Sequence, residues 1–244
     1  DLDEKGEIKL VITKEFIEKY KLDDWLAGYK KEAMHSTGGI RGPQNVLYCW
    51  DTRFPINEMG IILATVAKGL VLKEENPGKV LHKVVSGEVR YNTDLYIDLI
   101  SRLEAALGIN VHLTKGISRT TVWMTSFMIF MNDYDGGEYV SSSHAMSSKT
   151  ATKDLESQGG QFLPEMSIKF VNKIYEIFEY IKTHPEGYVI TIAAKDDSRI
   201  SHDFDGFQAY AEYLRKIVAT PANLDLIKQA SQKGMRLMFD TVGG

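Results

Sequence analysis

Short apolar segments with the character of β-strands alternate with amphipathic helical segments along most of this chain. The strand-like segments are residues 46–50, 80–86, 109–113, 138–142 and 189–193. Apolar residues at helical spacing occupy 12–34, 57–76, 93–107, 121–131 and 164–181. Strands joined through helices by short turns build a largely parallel sheet with both faces covered. The sequence therefore predicts an α/β fold, a three-layer α/β/α domain with a mixed, largely parallel sheet.

Polar residues and a proline mark where several of these helices begin. Thr13, Asn57 and Thr93 each stand just before an apolar helical pattern, where a side-chain oxygen can accept a hydrogen bond from a free backbone N–H group. Pro164 suits the first turn of a helix because its missing N–H would have no partner there. We therefore predict three N-caps and a helix that opens at Pro164.

The last part of the chain has a different pattern. Residues 195–205 are polar and are predicted to form a connector, followed by helices at 207–218 and 221–232 and a strand at 235–240. We place a domain boundary near residue 205, between residues 1–205 and residues 206–244. The chain begins without methionine and ends on Val242-Gly243-Gly244 after a strand-like segment. We therefore expect it to be a piece of something longer.

The composition gives no sign of a nucleic-acid or membrane partner. The 244 residues carry a formal net charge of −4, so positive charge for an anionic ligand must be gathered locally. The longest dense apolar run, TTVWMTSFMIFM, is too short to cross a bilayer, and the start of the chain lacks a secretion pattern. Cys49 is the only cysteine, which excludes an intrachain disulfide and favours a reducing, cytoplasmic location.

Three loops that follow strand-like segments hold residues suited to phosphate chemistry. In TGGIRG, glycines around Arg41 let backbone N–H groups approach an anion while the guanidinium forks onto its oxygens. SGEVR contributes Arg90, and SSSHAM offers Ser143 as a nucleophile beside His144 as a proton carrier, with Lys153 ten residues after the serine. Two of the loops also have an ordinary interpretation: TGGIRG as a flexible turn with a surface arginine, and the serine loop as a solvated Ser-His pair or a flexible linker.

Two other kinds of site are not supported by the sequence. There is no Gly-x-Ser-x-Gly elbow of the kind that serine hydrolases use. The six histidines show no metal-ligand spacing such as HExxH. A serine hydrolase and a metalloenzyme with histidine ligands are therefore both disfavoured.

Taken in order, the three loops resemble the α-D-phosphohexomutase superfamily, the phosphoglucomutases and phosphomannomutases. TGGIRG resembles the family's T-[GS]-G-[IL]-R-G, and VVSGEVRYNT resembles V-V-x-G-x-D-x-R-x-x-S. SSSHAM stands where the family has T-[AG]-S-H-N-P, and Lys153 falls at the offset of the family's lysine. MRLMFDTVGG resembles a strand of the second domain and its end. The resemblance assigns 1–205 to domain I, with the phosphoserine loop, and 206–244 to the start of domain II.

The resemblance implies a mutase that interconverts hexose 1-phosphate and hexose 6-phosphate. Ser143 would carry the phosphoryl group in the resting enzyme and exchange it with the sugar through a hexose 1,6-bisphosphate. His144 and Lys153 would assist proton transfer, and Arg41 would hold the phosphoserine or the substrate phosphate. The implied phosphate-binding set is Thr37, Gly38, Arg41 and Arg90.

The resemblance also implies a Mg²⁺ ion bound partly through the phosphate of Ser143. The family's Asp-x-Asp-x-Asp-Arg magnesium loop does not occur in these residues, so the other ligands are expected beyond residue 244. The sugar-recognition domains are expected there too, as the remaining domains of a longer parent chain. We therefore expect this fragment to show no turnover alone, and its sequence does not identify the hexose.

Departures from the family motifs leave a second hypothesis open. The family's Asn-Pro after the histidine is replaced at 145–146 by Ala-Met, and its Tyr-Asn-Gly before the lysine is replaced at 149–151 by Lys-Thr-Ala. A non-catalytic relative that binds a sugar phosphate or a protein partner would tolerate such changes. A third hypothesis, an unrelated α/β sugar-phosphate binder, requires the order of the motifs to be a coincidence.

Overall fold

The computed structural model describes residues 5–31, 35–36, 39–44, 56–115, 119–204 and 206–240. Its strands are β1 (Ile8–Ile12), β2 (His35–Ser36), β3 (Gly39–Pro43), β4 (His82–Gly87), β5 (Asn110–Thr114), β6 (Gly136–Val140), β7 (Lys149–Glu156), β8 (Tyr188–Ile192) and β9 (Ile200–Phe204). Its helices are α1 (Lys14–Tyr20), α2 (Leu22–Lys31), α3 (Glu58–Glu75), α4 (Thr93–Ala106), α5 (Val122–Met131), α6 (Pro164–Thr183), α7 (Gly206–Ile217) and α8 (Pro221–Gln232). The predicted strand at 46–50 and the residues Thr37 and Gly38 lie outside the described residues.

Seven of these strands form one mixed sheet in the order β2-β3-β7-β6-β4-β5-β9. Strands β6, β4, β5 and β9 run parallel to one another. Strands β7, β3 and β2 continue the sheet in antiparallel pairs on one side. β1 and β8 form a separate antiparallel pair. The predicted α/β fold with a mixed, largely parallel sheet is confirmed, with a small extra sheet that the sequence did not indicate.

Helices cover both faces of the sheet, as the three-layer prediction requires. On one face lie α3 and α4, with α6 packed on α3, and their apolar side chains form the main core around residues such as Ile62, Leu99 and Phe178. On the other face α5 packs against β4 and β6 with a smaller cluster around Met128 and Tyr139, and α7 contacts α5. None of the described helices is both long enough and apolar enough to pass through a bilayer.

The helix starts follow local hydrogen bonding, with one difference from the prediction. The side chains of Thr13 and Asn57 each accept a hydrogen bond from the backbone N–H three residues on, at 3.2 and 2.9 Å, so these two N-caps are confirmed. Pro164 opens α6 as predicted. Thr93 is the first residue of α4 instead of its cap, and its hydroxyl accepts the N–H of Arg90 at 3.2 Å. That contact ties the loop after β4 to the start of α4.

Two predictions for the last part of the chain were wrong. Residues 195–205 are not only a connector, because β9 forms there and pairs with β5 at the edge of the sheet. Its polar sequence, ISHDF, suits an edge strand with one side exposed. Residues 235–240 form no strand: they pair with none of the described strands, and Met238 and Phe239 are more than nine-tenths exposed. The domain boundary near 205 stays a prediction.

Five buried charged side chains form an ion cluster between the sheet and helices α3 and α4: Lys68, Lys83, Glu104, Glu138 and Asp154. The Lys68 ammonium donates to Glu138 at 2.7 Å and to Asp154 at 2.8 Å. The Lys83 ammonium pairs with Glu104 and lies 3.5 Å from Glu138. Three carboxyl groups therefore share two ammonium groups, and Glu104 Oε2 is buried without a hydrogen bond to any described residue. Burial, together with the charge of Glu138, raises the pKa of Glu104 to about 7.

The raised pKa of Glu104 predicts a specific dependence of stability on pH. Between its ordinary pKa of 4.5 and the raised value of about 7, the unfolded chain has released this proton while the folded chain keeps it. The free energy of unfolding should therefore fall as pH rises through this window, and this contribution should be constant above it. In Glu104→Gln the group cannot titrate, so we expect the stability of the unmodified chain relative to this variant to fall by at least about 1 kcal/mol across the window.

Urea unfolding of both chains at a series of pH values measures this difference. Glu75→Gln, which removes an exposed carboxylate of α3, is the matched control and should change with pH as the unmodified chain does. Parallel curves for the unmodified chain and Glu104→Gln would contradict a raised pKa at Glu104.

Candidate functional site

The three loops singled out in the sequence meet at one edge of the sheet. Strands β4 and β6 are parallel neighbours with Gly87 opposite Val140, so the loops that follow them leave from the same edge. The first N–H of the β4 loop, from Glu88, donates to the carbonyl of Val140 at 3.0 Å. Strand β3 is antiparallel to β7 and therefore also ends at this edge, at Gln44. The order of the sheet thus brings together segments from residues 39–44, 86–90 and 141–149.

Gly87 permits this close approach of two strand ends. A Cβ atom at this position would lie 2.8 Å from Thr93 Cγ2 and 2.9 Å from both Cβ and the carbonyl oxygen of Val140. Contacts below 3.0 Å between such atoms are not tolerated, so a larger residue would push the β4 loop away from β6. The glycine in SGEVR therefore keeps Arg90 next to the loop of Ser143.

The loop between β6 and β7 holds Ser143 in an uncommon backbone conformation. Ser143 has φ 58, in the left-handed region, which costs a residue with a side chain roughly 1–2 kcal/mol. Its N–H donates to the Ser141 hydroxyl at 2.9 Å, and the Ser142 hydroxyl donates to the carbonyl of Lys149 at 3.1 Å. Ser143 itself is exposed. The loop is therefore closed by its own serines and presents Ser143 to solvent at the tip.

His144 stands beside Ser143 but does not hold its hydroxyl firmly. The distance from Ser143 Oγ to His144 Nδ1 is 3.5 Å, at the outer limit of a hydrogen bond, and both side chains are exposed. Catalytic hydrogen bonds are often this long without a substrate and shorten when one binds. The arrangement allows proton transfer through His144 without fixing it.

Arg41 and Lys153 lie on the same face of the sheet. Arg41 is opposite Ala151 across the β3–β7 pair, and the Ala151 carbonyl accepts the N–H of Ser141 on the other side. Lys153 lies two residues further along β7, opposite Tyr139. Paired residues, and residues two apart on one strand, share a face, so Arg41, Ser141 and Lys153 do so. Arg41 and Lys153 are therefore diagonal neighbours across the β3–β7 pair, and the Cα atoms of such neighbours are about 7–8 Å apart.

The positive charges of Arg41 and Lys153 are not neutralised by ion pairs with other described residues. Arg41 is exposed and Lys153 is half-buried. Neither side chain makes an ion pair or hydrogen bond with another residue in the described ranges. Two cationic groups on one face, one on the strand that follows the Ser143 loop and one on the strand beside it, suit an anionic ligand.

Arg90 is placed differently, because its guanidinium contacts the backbone of the Ser143 loop. Nη2 donates to the carbonyls of Ser143 at 2.7 Å and Ala145 at 3.1 Å. Nη1 donates to the carbonyls of Met146 at 3.2 Å and Lys149 at 3.0 Å. Its Nε donates to the Glu88 carboxylate at 2.5 Å. The structure thus brings Arg90 to the site, with its donors directed at the loop.

Tyr139 is the described neighbour of Lys153 on the adjacent strand. Its hydroxyl donates to the carbonyl of Thr120 at 2.6 Å, and burial, with the charge of Glu88, raises its pKa far above the ordinary range. The hydroxyl therefore stays protonated and cannot accept a proton. Tyr139 is therefore no candidate for the proton-transfer role that the resemblance implies for Lys153 and His144.

Sequence reasoning missed three residues that shape the loop. Gln44 is buried and holds it twice, through its N–H to the carbonyl of Ser148 at 2.9 Å and its side-chain amide to the carbonyl of Ser147 at 3.0 Å. Ser141 caps the N–H of Ser143, and Glu88 orients Arg90. The position of Gln44, directly after the glycine-rich motif, could have indicated a role at the site. Nothing in the local sequence distinguishes Ser141 from the other serines of the loop.

A family model described as phosphoglucomutase/phosphomannomutase, alpha/beta/alpha domain I, matches residues 34–184. The chain belongs to the phosphoglucomutase/phosphomannomutase family. The matched span of this phosphohexomutase domain contains Arg41, Arg90, Ser143, His144 and Lys153. No curated protein matches the chain.

Solved structures show the same fold in this phosphohexomutase domain and in three proteins. One is a Thermus thermophilus protein assigned as a phosphomannomutase, with TM-score 0.54, 20% identity, and coverage of 73% of this chain and 34% of that protein. Another is the Paramecium phosphoglucomutase parafusin in its open form, with TM-score 0.52, 16% identity, and coverage of 77% and 28%. The third, a Burkholderia thailandensis family protein, has TM-score 0.54, 12% identity, and coverage of 74% and 35%. The chain thus spans about a third of the length of these proteins.

The Mg²⁺ ion implied by the resemblance needs more oxygen ligands than the phosphate of one serine supplies. Within the described ranges of this phosphohexomutase domain, no three His, Cys, Asp or Glu side chains are grouped closely enough to hold a metal ion. The described residues therefore do not fit a complete magnesium site.

Proposed function

We propose that this domain carries the phosphoserine of a phosphohexomutase that interconverts hexose 1-phosphate and hexose 6-phosphate. The observation that supports this most is the placement of Arg41 and Lys153. Both lie on the face of the sheet from which Ser141 caps the Ser143 loop, and neither has an ion-pair partner among the described residues. A phosphorylated serine carries close to two negative charges, which such a pair of cations offsets.

In the proposed reaction, the phosphoryl group of phosphorylated Ser143 passes to the free hydroxyl of a hexose monophosphate. The bond between phosphorus and Ser143 Oγ breaks and a bond to the sugar oxygen forms. His144 takes the proton of the sugar hydroxyl, and the Lys153 ammonium gives a proton to the departing Ser143 Oγ. The hexose 1,6-bisphosphate then turns round and returns its other phosphoryl group to Ser143. Arg41 stabilises the charge on the transferring group, because positioning and electrostatics supply most of the catalysis in phosphoryl transfer.

The proposal is tested by asking whether Ser143 takes up phosphate. Because the chain spans about a third of its structural relatives, the experiment uses the longest natural protein that contains it. That protein is incubated with a hexose 1,6-bisphosphate in buffer with Mg²⁺, and phosphate is located by mass spectrometry. We expect phosphate on Ser143, and we expect Arg41→Gln to slow its uptake on the order of 10²-fold through the lost charge stabilisation.

Arg199→Gln is the matched control for Arg41→Gln. Arg199 precedes β9 at the amino end of the parallel strands, opposite the Ser143 loop, and pairs with Asp197 at 2.8 Å. It should leave phosphate uptake unchanged. Wild-type protein that shows neither phosphate on Ser143 nor mutase turnover would remove the enzymatic proposal.

A non-catalytic relative is the second candidate, favoured by the change of the family's Asn-Pro to Ala145-Met146 directly after His144. This candidate predicts that a hexose phosphate or protein partner binds equally well to Ser143→Ala, with no phosphate on the wild-type serine. Phosphorylation of wild-type Ser143 by the bisphosphate would exclude it.

A further inference from the structure

The guanidinium of Arg90 has all its donors engaged. An arginine side chain has five N–H donors. Four of them reach backbone carbonyls of the Ser143 loop, and the fifth reaches Glu88. A bidentate contact with a phosphate would require at least two of these bonds to break.

We propose that Arg90 is a positioning residue that clamps the backbone of the Ser143 loop, and that it does not bind the substrate phosphate. Its consequence for catalysis rests on the function proposed above, whereas the clamp itself is a property of this domain alone. The four accepting carbonyls span residues 143–149, nearly the whole connection between β6 and β7. The planar guanidinium of Arg90 thus donates hydrogen bonds to both halves of the loop.

The conformation of Ser143 explains why such a clamp is needed. A non-glycine residue with left-handed φ keeps that conformation only where its surroundings determine it. Here the N–H of Ser143 is held by the Ser141 hydroxyl and its carbonyl by Arg90, at 2.9 and 2.7 Å. The peptide groups on both sides of Ser143 Cα are therefore fixed, and with them the direction from which its hydroxyl meets a phosphoryl group.

Glu88 and burial make the clamp stiff. The Arg90 side chain is only 12% exposed, and the Glu88 carboxylate holds its Nε. Hydrogen bonds from a charged donor are about twice as strong as neutral ones, and strengthen further where water is excluded. The negative charge of Glu88 also offsets that of Arg90, so the charge of a phosphoserine is left to Arg41 and Lys153.

A clamp and a phosphate ligand respond differently to replacement of Arg90 by lysine. Lysine keeps the positive charge and can still attract a phosphate as a point charge, but it has one nitrogen with three donors and cannot span four carbonyls. A clamp therefore predicts that Arg90→Lys loosens the loop although the charge is kept. A phosphate ligand predicts an ordered loop and weaker substrate binding.

The first measurement is amide hydrogen exchange of residues 143–149 in this 244-residue chain, with Arg199→Lys as matched control. We expect Arg90→Lys to exchange at least about tenfold faster in this loop, with the β4 and β5 amides unchanged, and Arg199→Lys to match the unmodified chain. In Arg90→Ala, millimolar guanidinium, below denaturing concentrations, should restore protection, whereas methylammonium should not. Unchanged exchange in Arg90→Lys and Arg90→Ala would overturn the clamp.

The second measurement separates positioning from binding in the longest natural protein that contains the chain. We expect Arg90→Lys to lower kcat on the order of 10²-fold, as for a misplaced reacting group, with KM for hexose phosphate within about twofold. A raised KM with unchanged kcat and a protected loop would assign Arg90 to the phosphate instead. If wild-type Ser143 never takes phosphate, the proposed function fails, and the exchange result still decides whether Arg90 clamps the loop.

Discussion

Replacing Lys68 with methionine is expected to lower the free energy of unfolding by about 3–5 kcal/mol, because the change leaves buried carboxylates without their cation. The Lys68 side chain is 2% exposed, and its ammonium donates to Glu138, Asp154 and the Thr152 hydroxyl. These partners belong to β6 and β7, the two strands joined by the Ser143 loop. Methionine fills similar space without a charge, so the loss measures the missing ion pairs and not a cavity.

Equilibrium urea unfolding of the 244-residue chain measures this change. Lys73→Met on the same helix is the matched control, since Lys73 is exposed and its change should stay within about 1 kcal/mol. If the lost ion pairs cause the destabilisation, Asp154→Asn should lower the free energy of unfolding much less in Lys68→Met than in the unmodified chain. In Lys68→Met the substitution removes a carboxylate that has already lost its cation. A loss below about 1 kcal/mol in Lys68→Met would show that the buried carboxyl groups are neutral without their cation.

The buried lysine illustrates what the sequence pattern could not predict. The apolar residues around Ile61, Ile62 and Val66 predicted α3 and its start correctly, although the helix is buried on nearly all sides over residues 60–72 and not on one apolar face alone. Lys68 lies in the same helix and reads as a surface residue, since lysine is almost never buried unless it is paired. Its partners are 70 and 86 residues away in sequence, so no local sequence pattern predicts these ion pairs.

Strand β7 was missed for the same physical reason. Its sequence, KTATKDLE, has no apolar alternation, because Thr152 and Asp154 point their polar groups at the ion cluster. Because β7 was not predicted, the strand register that sets Arg41 opposite Ala151 could not be predicted either. The strands β4, β5 and β6 were predicted because each contains buried apolar residues, such as Val85, Val111 and Val140.

The candidate site was predictable in part, because loops after parallel strands share an edge whatever their exact register. The sequence therefore predicted that Ser143 and Arg90 lie near each other, and in the structure Arg90 contacts the Ser143 carbonyl. The sequence could not tell which atoms the Arg90 guanidinium contacts, since an arginine forks equally well onto a phosphate or onto carbonyls. That distinction depends on the path of the loop, which Ser141, Gln44 and Arg90 determine together.

Replacing Ser143 with alanine is expected to abolish phosphate uptake from a hexose 1,6-bisphosphate and to lower mutase turnover by about 10⁴-fold or more, since no other group replaces a lost nucleophile. Ser147→Ala is the matched control: Ser147 is exposed in the same loop, and its carbonyl, which the change keeps, accepts the Gln44 amide. It should take up phosphate on Ser143 at the rate of the unmodified protein.

The two variants together decide whether phosphate uptake and turnover depend on the Ser143 hydroxyl or on the loop as a whole. Mass spectrometry and turnover are measured in the longest natural protein that contains the chain, with circular dichroism to verify that both variants fold. Alanine strains the left-handed backbone no more than serine does, so Ser143→Ala should keep the loop ordered. Phosphate that moves to Ser142 or Ser147 in Ser143→Ala, or equal loss in both variants, would contradict Ser143 as the phosphoryl carrier. Loss confined to Ser143→Ala would instead tie the chemistry to the Ser143 hydroxyl.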